Sequence, residues 1–198
     1  MPIPQSNSGN HVMKLTYSDL HQLFLYGLKL KSIKRAGWVS KVGISDPESV
    51  ADHSYSVCLV SMILSDLLDL ETEKILKMAI LHDLTESIIG DYLPNEIGRK
   101  RKRELERNAM ELILQSIPRS IRLKYKKIWQ EYVQNRSQAA NFVHMIDKLE
   151  LALQAKQYER SYPKALLSQF LNTSRKSFNS NNIFPIMLNI LNTLKSPS

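Results

Sequence analysis

Residues 76–94, LKMAILHDLTESIIGDYLP, decide how the chain is read. Apolar residues at helical spacing lead into a His-Asp pair, His82-Asp83. A helix over 73–83 puts Ile75, Met78 and Ala79 on the side of His82, and Leu76, Ala79 and Ile80 beside Asp83. An imidazole and a carboxylate thus stand on or beside a face that should be buried. A carboxylate buried without a partner is costly, which favours a nearby cation. Glu86 and Asp91 follow closely and add two more carboxylates. Two readings stay open for the pair: a chance dipeptide with ordinary hydrogen bonds, or two ligands converging on one metal ion near a helix end.

Outward from this stretch the pattern is helical. Upstream, Ser49 is placed to cap a helix running to about residue 68, with Asp52 three residues later in capping-box position. Val50, Val57, Val60 and Leu64 form its apolar column, and His53 falls inside that column. Alone, His53 would read as a hydrogen-bonded core histidine. Residues 17–34 repeat Leu20, Phe24 and Leu28 and read as a first helix, capped by Thr16 or Ser18. Residues 36–47, AGWVSKVGISDP, carry two glycines and a proline and read as a loop. Residues 1–15, rich in Pro, Ser, Asn and Gly, read as a flexible N-terminal tail.

Downstream, a short helical turn at 84–89 ends at Gly90 and Pro94. Residues 95–117 read as one helix whose start, GRKRKRELER, is either a solvated face or the basic rim of an anion site. Pro118 suits the first turn of a helix to about 134. Ser137 opens a long helix to about 162, and Asp147 stands among its apolar positions Ala140, Val143 and Leu151. Further helices start at Pro163 and Pro185, joined by a polar linker at 179–182. No strand-like alternation and no repeat is present. The expectation is an all-α fold of seven or eight helices in one domain: a tail at 1–15, a core at 16–162, and C-terminal helices at 163–198 packed on it.

Composition agrees with a globular chain: 198 residues, 43% hydrophobic and 23% charged, are enough for one sizeable core. No apolar stretch is long enough to span a bilayer and no secretory signal opens the chain, so a cytoplasmic protein without membrane contact is expected. The single cysteine, Cys58, lies in an apolar run and reads as a packed thiol. The net charge of +8 suits solubility or anionic substrates. Without an aromatic-interleaved basic motif or zinc-finger spacing, it does not point to nucleic acid.

His53, His82, Asp83 and Asp147 thus come from three helices, each on or beside a core face. Two imidazoles and two carboxylates suit a borderline divalent ion such as Mn, Co, Fe, Ni or Zn. The lack of thiolate argues against a structural zinc site. An ion so held brings the acidity of water towards neutrality and makes it a nucleophile. Glu86 and Asp91 stand where they could orient that water or move a proton.

The order His53, His82-Asp83, Asp147 resembles the HD-domain metal-dependent phosphohydrolases. PESVADHS at 47–54, HDLTE at 82–86, Gly90-Asp91 and DKLE at 147–150 resemble the 5′-deoxynucleotidase branch, which holds YfbR-like and HD-domain-containing proteins. The resemblance covers roughly residues 20–160. It implies an all-helical homodimer with one divalent metal ion per subunit, held by His53, His82, Asp83 and Asp147. It implies removal of the 5′-phosphate from nucleoside monophosphates, deoxy forms preferred. Glu86 then takes the catalytic position and Asp91 the second acidic one. The family's substrate-binding Arg and Trp correspond to Arg35 and Trp38, here separated by Ala36-Gly37 rather than adjacent. Arg offers a forked donor to phosphate and Trp a stacking face.

Other activities fit less well. An alarmone pyrophosphohydrolase would carry HD-x-x-E-D, where this chain has Ser87 in the last position. A two-metal cyclic-nucleotide phosphodiesterase would need more histidines between Asp83 and Asp147 than His144 alone. A non-catalytic nucleotide sensor on the same fold would have no need of Glu86.

Overall fold

The structure is a computed structural model that describes residues 17–180 and 184–194. The expected tail at 1–15, the capping residue Thr16 and part of the 179–182 linker lie outside the described residues. Among the described residues there are eleven helices and no strand, against the seven or eight expected. They are α1 (Tyr17–Leu30), α2 (Ala36–Val42), α3 (Val50–Leu67), α4 (Thr72–Leu81), α5 (Glu86–Ile89), α6 (Pro94–Ile97), α7 (Arg99–Gln115), α8 (Arg119–Gln134), α9 (Gln138–Tyr158), α10 (Lys164–Ser180) and α11 (Pro185–Thr193). No helix among them is long and apolar enough to cross a membrane.

Two differences have local causes. Residues 36–42, expected as loop, form α2, and the glycine read as a loop signal is its terminator. Gly43 takes φ 79°, its N–H donates to the Val39 carbonyl and the Ile44 N–H to the Trp38 carbonyl, the left-handed cap that glycine adopts without a Cβ penalty. Further on, the helix expected over 95–117 is cut at Gly98, whose φ of 78° no helix continues through. That leaves the single turn α6 before α7.

The centre of the molecule is α9. It packs against α3, α4, α8, α10 and α11. Ser137 caps it by accepting the Ala140 N–H at 3.1 Å. Phe142, Val143, Ile146 and Leu149 are fully buried, each contributing about 1.5–3 kcal/mol of apolar burial. Asp147 and Glu150 are also buried on this helix. Helix α3 starts as its sequence indicates. The Ser49 side chain accepts the Asp52 N–H, and Asp52 accepts from Ser49 in return, a complete capping box. His53 lies in the first turn of that capped helix and is fully buried. Cys58 packs half-buried against the core, and burial pushes its thiol up to about 11, away from nucleophilic use.

A smaller apolar cluster joins α2 to the end of α9 and to α10. Trp38 meets Phe170 with ring centroids 4.2 Å apart and Tyr158 edge-on at 5.1 Å. This packing holds α2 beside the cluster of ionisable groups described next.

Candidate metal centre and substrate cavity

Three elements deliver the ionisable groups. His53 comes from the first turn of α3, His82 from the C-cap position just after α4 with Asp83 next to it, and Asp147 from the middle of α9. Ligand atoms of His53, His82 and Asp147 all lie within 4.8 Å of one another. The two Nε2 atoms are 3.4 Å apart. Asp147 Oδ1 is 3.3 Å from His53 Nε2, and Asp83 Oδ2 is 3.2 Å from His82 Nε2 and 3.7 Å from His53 Nε2.

The other face of each ring fixes what Nε2 can do. His82 Nδ1 lies 2.6 Å from the carbonyl of Ala79, which can only accept, so Nδ1 carries the proton. His53 Nδ1 lies 2.6 Å from Glu150 Oε2 and donates to that carboxylate. In the neutral rings both Nε2 atoms therefore present lone pairs, towards each other and towards two carboxylates. Such a convergence of electron-rich atoms needs a cation at its centre. Without metal a proton serves: burial and Arg35 oppose charge on His53, but Asp147 and Glu150 outweigh them and raise it to about 9. The donor set of imidazole and carboxylate fits a divalent ion.

Around this centre a cavity of about 280 Å³ opens, lined by Arg35, Trp38, Asp83, Glu86, Asp91 and Asp147 among others. Arg35 Nη1 donates to Asp83 Oδ2 at 3.2 Å and lies 3.8 Å from Asp91 Oδ2. Burial opposes its charge, yet Asp83, Asp91, Glu86 and Asp147 together hold the guanidinium more firmly protonated than usual. Asp91 Oδ2 also accepts the backbone N–H of Ala36 at 2.8 Å, at the start of α2. Trp38 lines the cavity from a buried position and donates its indole N–H to Glu48 Oε1 at 2.7 Å.

Glu86 is 3% exposed, and its Oε2 has no hydrogen-bond partner among the described residues. Burial, reinforced by the charges of Asp83 and Asp91, raises its carboxyl well above the usual range, against Arg35 and Lys102. The depressed groups are Asp83 and Asp147. Burial works against their charge, but His82 and Arg35 beside Asp83, and Lys148 and His53 beside Asp147, hold both carboxyls low.

The structure thus brings together all eight residues singled out in the sequence: His53, His82, Asp83, Asp147, Glu86, Asp91, Arg35 and Trp38. Asp83 is shared between His82 and Arg35. Sequence reasoning missed Lys102, Lys148, Glu150 and the α10 residues Phe170 and Thr173. Lys102 belongs to the basic run at 98–107 and turns into the cavity, donating to the Tyr92 carbonyl at 2.8 Å and standing 3.8 Å from Glu86 Oε1. Its spacing to Glu106, one turn on, was the available signal. Lys148 Nζ is 2.7 Å from Asp147 Oδ2. A larger cleft of about 760 Å³ lies between α4 and α8, but its lysines stand among Glu71, Glu73 and Glu131 and no histidine lines it. Chemistry, not size, marks the smaller cavity as the site.

The fold and this centre define a class: the chain belongs to the HD domain family, whose sequence model matches residues 28–184. Among its relatives is 5′-deoxynucleotidase HDDC2 of Dictyostelium discoideum, 36% identical over 162 residues that cover 76% of this chain and 85% of the relative. Another is 5′-deoxynucleotidase hdd1 of Schizosaccharomyces pombe, 38% identical over 148 residues, 72% of this chain and 74% of the relative. Among solved structures, a conserved hypothetical protein from Pyrococcus furiosus superposes with a TM-score of 0.75 at 32% identity, over 88% of this chain and 98% of that one.

Proposed function

We propose that this protein is a metal-dependent phosphohydrolase that removes the 5′-phosphate from nucleoside monophosphates, deoxyribonucleotides preferred. The observation that carries this is the meeting of two imidazole Nε2 atoms 3.4 Å apart with the carboxylates of Asp83 and Asp147 at a cavity bearing Arg35, Lys102 and Lys148. One divalent ion per subunit is held by His53, His82, Asp83 and Asp147. Such an ion supplies Lewis acidity and acidifies water. The remaining work falls to the chain. Arg35, whose hydrogen bond to Asp83 uses Nη1 alone, turns the rest of its fork to the phosphate. Lys102 and Lys148 add positive charge around the same anion. Glu86 Oε2 has no hydrogen-bond partner among the described residues, so it can take a proton from water or return one to the leaving 5′-oxygen. Asp91 fixes Arg35 and the start of α2. Trp38 and Phe170 form an aromatic wall for the nucleoside.

The modest cavity favours a single mononucleotide over an alarmone with its two diphosphates. The test is free-phosphate release from a panel of ribo- and deoxyribonucleoside monophosphates, alarmones and cyclic nucleotides, with manganese and after chelation. Metal-dependent release from the monophosphates alone, fastest from deoxy forms, is expected. Release from alarmones but not monophosphates overturns the assignment.

A homodimer follows from the same resemblance, and α3 favours it. Tyr55, Leu59, Met62, Ile63 and Leu67 are exposed on the face away from the core, so the helix is apolar on both sides. A second copy of this chain is the proposed cover.

A further inference from the structure

We infer that Glu150 is a positioning residue for the metal centre, holding the ring of His53 so that its Nε2 faces His82 and Asp147. The inference rests on the reading of that centre as a metal site and adds a residue to it. Glu150 is 3% exposed and His53 fully buried, so neither has water as an alternative partner. Their contact, Oε2 to Nδ1, is 2.6 Å. Glu150 stands three residues after Asp147 on α9, so one face of one helix supplies both groups that grip His53, Asp147 at Nε2 and Glu150 at Nδ1. Flipping the ring would set Cδ2 against the Glu150 carboxylate, and the other tautomer would set the Nδ1 lone pair there. Partners that fix a ligand histidine from behind in this way raise its basicity and hold its orientation.

A second carboxylate, Glu48, stands beside Glu150 on the side of the cavity wall. A carboxylate oxygen of Glu48 lies within 4.8 Å of the Glu150 oxygen and the His53 nitrogen. Glu48 is held by the Trp38 indole N–H at 2.7 Å, and its backbone N–H donates to the Tyr158 hydroxyl at 2.8 Å. Trp38 lines the substrate cavity. The order Trp38, Glu48, Glu150, His53 therefore runs from the wall of the cavity to the metal centre. His82 is fixed differently, by the Ala79 carbonyl of its own helix, so loss of Glu150 should disturb one histidine and spare the other.

The experiment is calorimetric titration of the metal-free full-length chain with manganese, for the parent, Glu150→Gln and Glu150→Ala. Gln keeps the shape and an acceptor oxygen but drops the charge; Ala removes the acceptor. Manganese affinity should fall about 10-fold in the Gln variant and about 100-fold in the Ala variant, with binding stoichiometry unchanged. Nuclear magnetic resonance of the zinc-loaded protein gives a readout that mere packing would not move. In the parent the His53 Nδ1–H proton should resonate far downfield and exchange slowly. In Glu150→Gln it should move upfield and exchange faster, while the His82 signal stays. Should the Ala variant fail to fold, the Gln variant and the parent's own resonance still decide. Parent-like affinity in Glu150→Gln, or a parent without a protected His53 Nδ1–H, overturns the positioning role. A parent that binds neither ion overturns the metal reading itself and this inference with it.

Discussion

At His53 burial and charge act in opposite directions, and the balance has a measurable sign. Burial and Arg35 disfavour a charged ring, Asp147 and Glu150 favour it, and the result lies near 9 against 6.5 for an ordinary histidine. A group raised on folding contributes stability that is fully present below its unfolded value and lost as pH rises through the folded one. Metal-free protein should therefore lose thermal stability from about 6.5 to about 9. Glu48, raised by burial and by Glu150 to about 7 from 4.5, adds a loss of the same sign over its lower range. Metal-loaded protein should lack the His53 part of this decline, because the ion takes the place of the proton and binds deprotonated ligands. Melting curves in chelator and in manganese check both; a metal-free melting temperature that rises across that range contradicts the charge balance. Glu86→Gln tests the neighbouring group. It should keep the metal and lose at least ~100-fold in turnover, and full activity in a metal-loaded Gln variant removes Glu86 from proton transfer. At this scale the sequence made the groups on core-facing helical columns legible, because a charge among apolar residues is conspicuous. Glu150 and Lys148 sat in the quoted DKLE segment without a role, since their meaning depends on which atom of His53 they face. Lys102 was hidden among five neighbouring cations, only its direction setting it apart.

Helices with caps written in side chains were the most legible elements. Ser49 and Asp52 fix the start of α3, and Ser137 the start of α9, where the sequence puts them. Elements bounded by backbone conformation were not. Gly43 and Gly98 look alike in sequence, yet one ends a helix read as loop and the other splits a helix read as continuous. The C-terminal helices carried no motif, and only packing reveals that α10 supplies Phe170 and Thr173 to the cavity. The α3 cap matters to function because His53 lies in the turn it secures. Ser49→Ala removes a side-chain acceptor of the capping box and should cost about 1 kcal/mol, a fall of about 2–4 °C in melting temperature for a chain of this size. Differential scanning calorimetry measures it. An unchanged melting temperature would mean that Asp52 alone secures the helix start.

The molecule as a whole leaves a row of apolar side chains on the outer face of α3 while the inner face carries His53 to the centre. If a second copy covers that row, Ile63→Asp, at a half-exposed position, should convert dimer to monomer in sedimentation equilibrium with the helical content retained. A parent that sediments as a monomer at every concentration removes the dimer. The net charge of +8 says little by itself; the fold brings Arg35, Lys102 and Lys148 to one cavity, where the proposed reaction needs an anion site. The central claim is that α3, α4 and α9 converge on one divalent ion. Anomalous diffraction from a manganese-loaded crystal tests it most directly. One strong peak per chain, bonded to His53, His82, Asp83 and Asp147, is the expected result. A peak elsewhere, or none between the two Nε2 atoms at full manganese loading, contradicts the account.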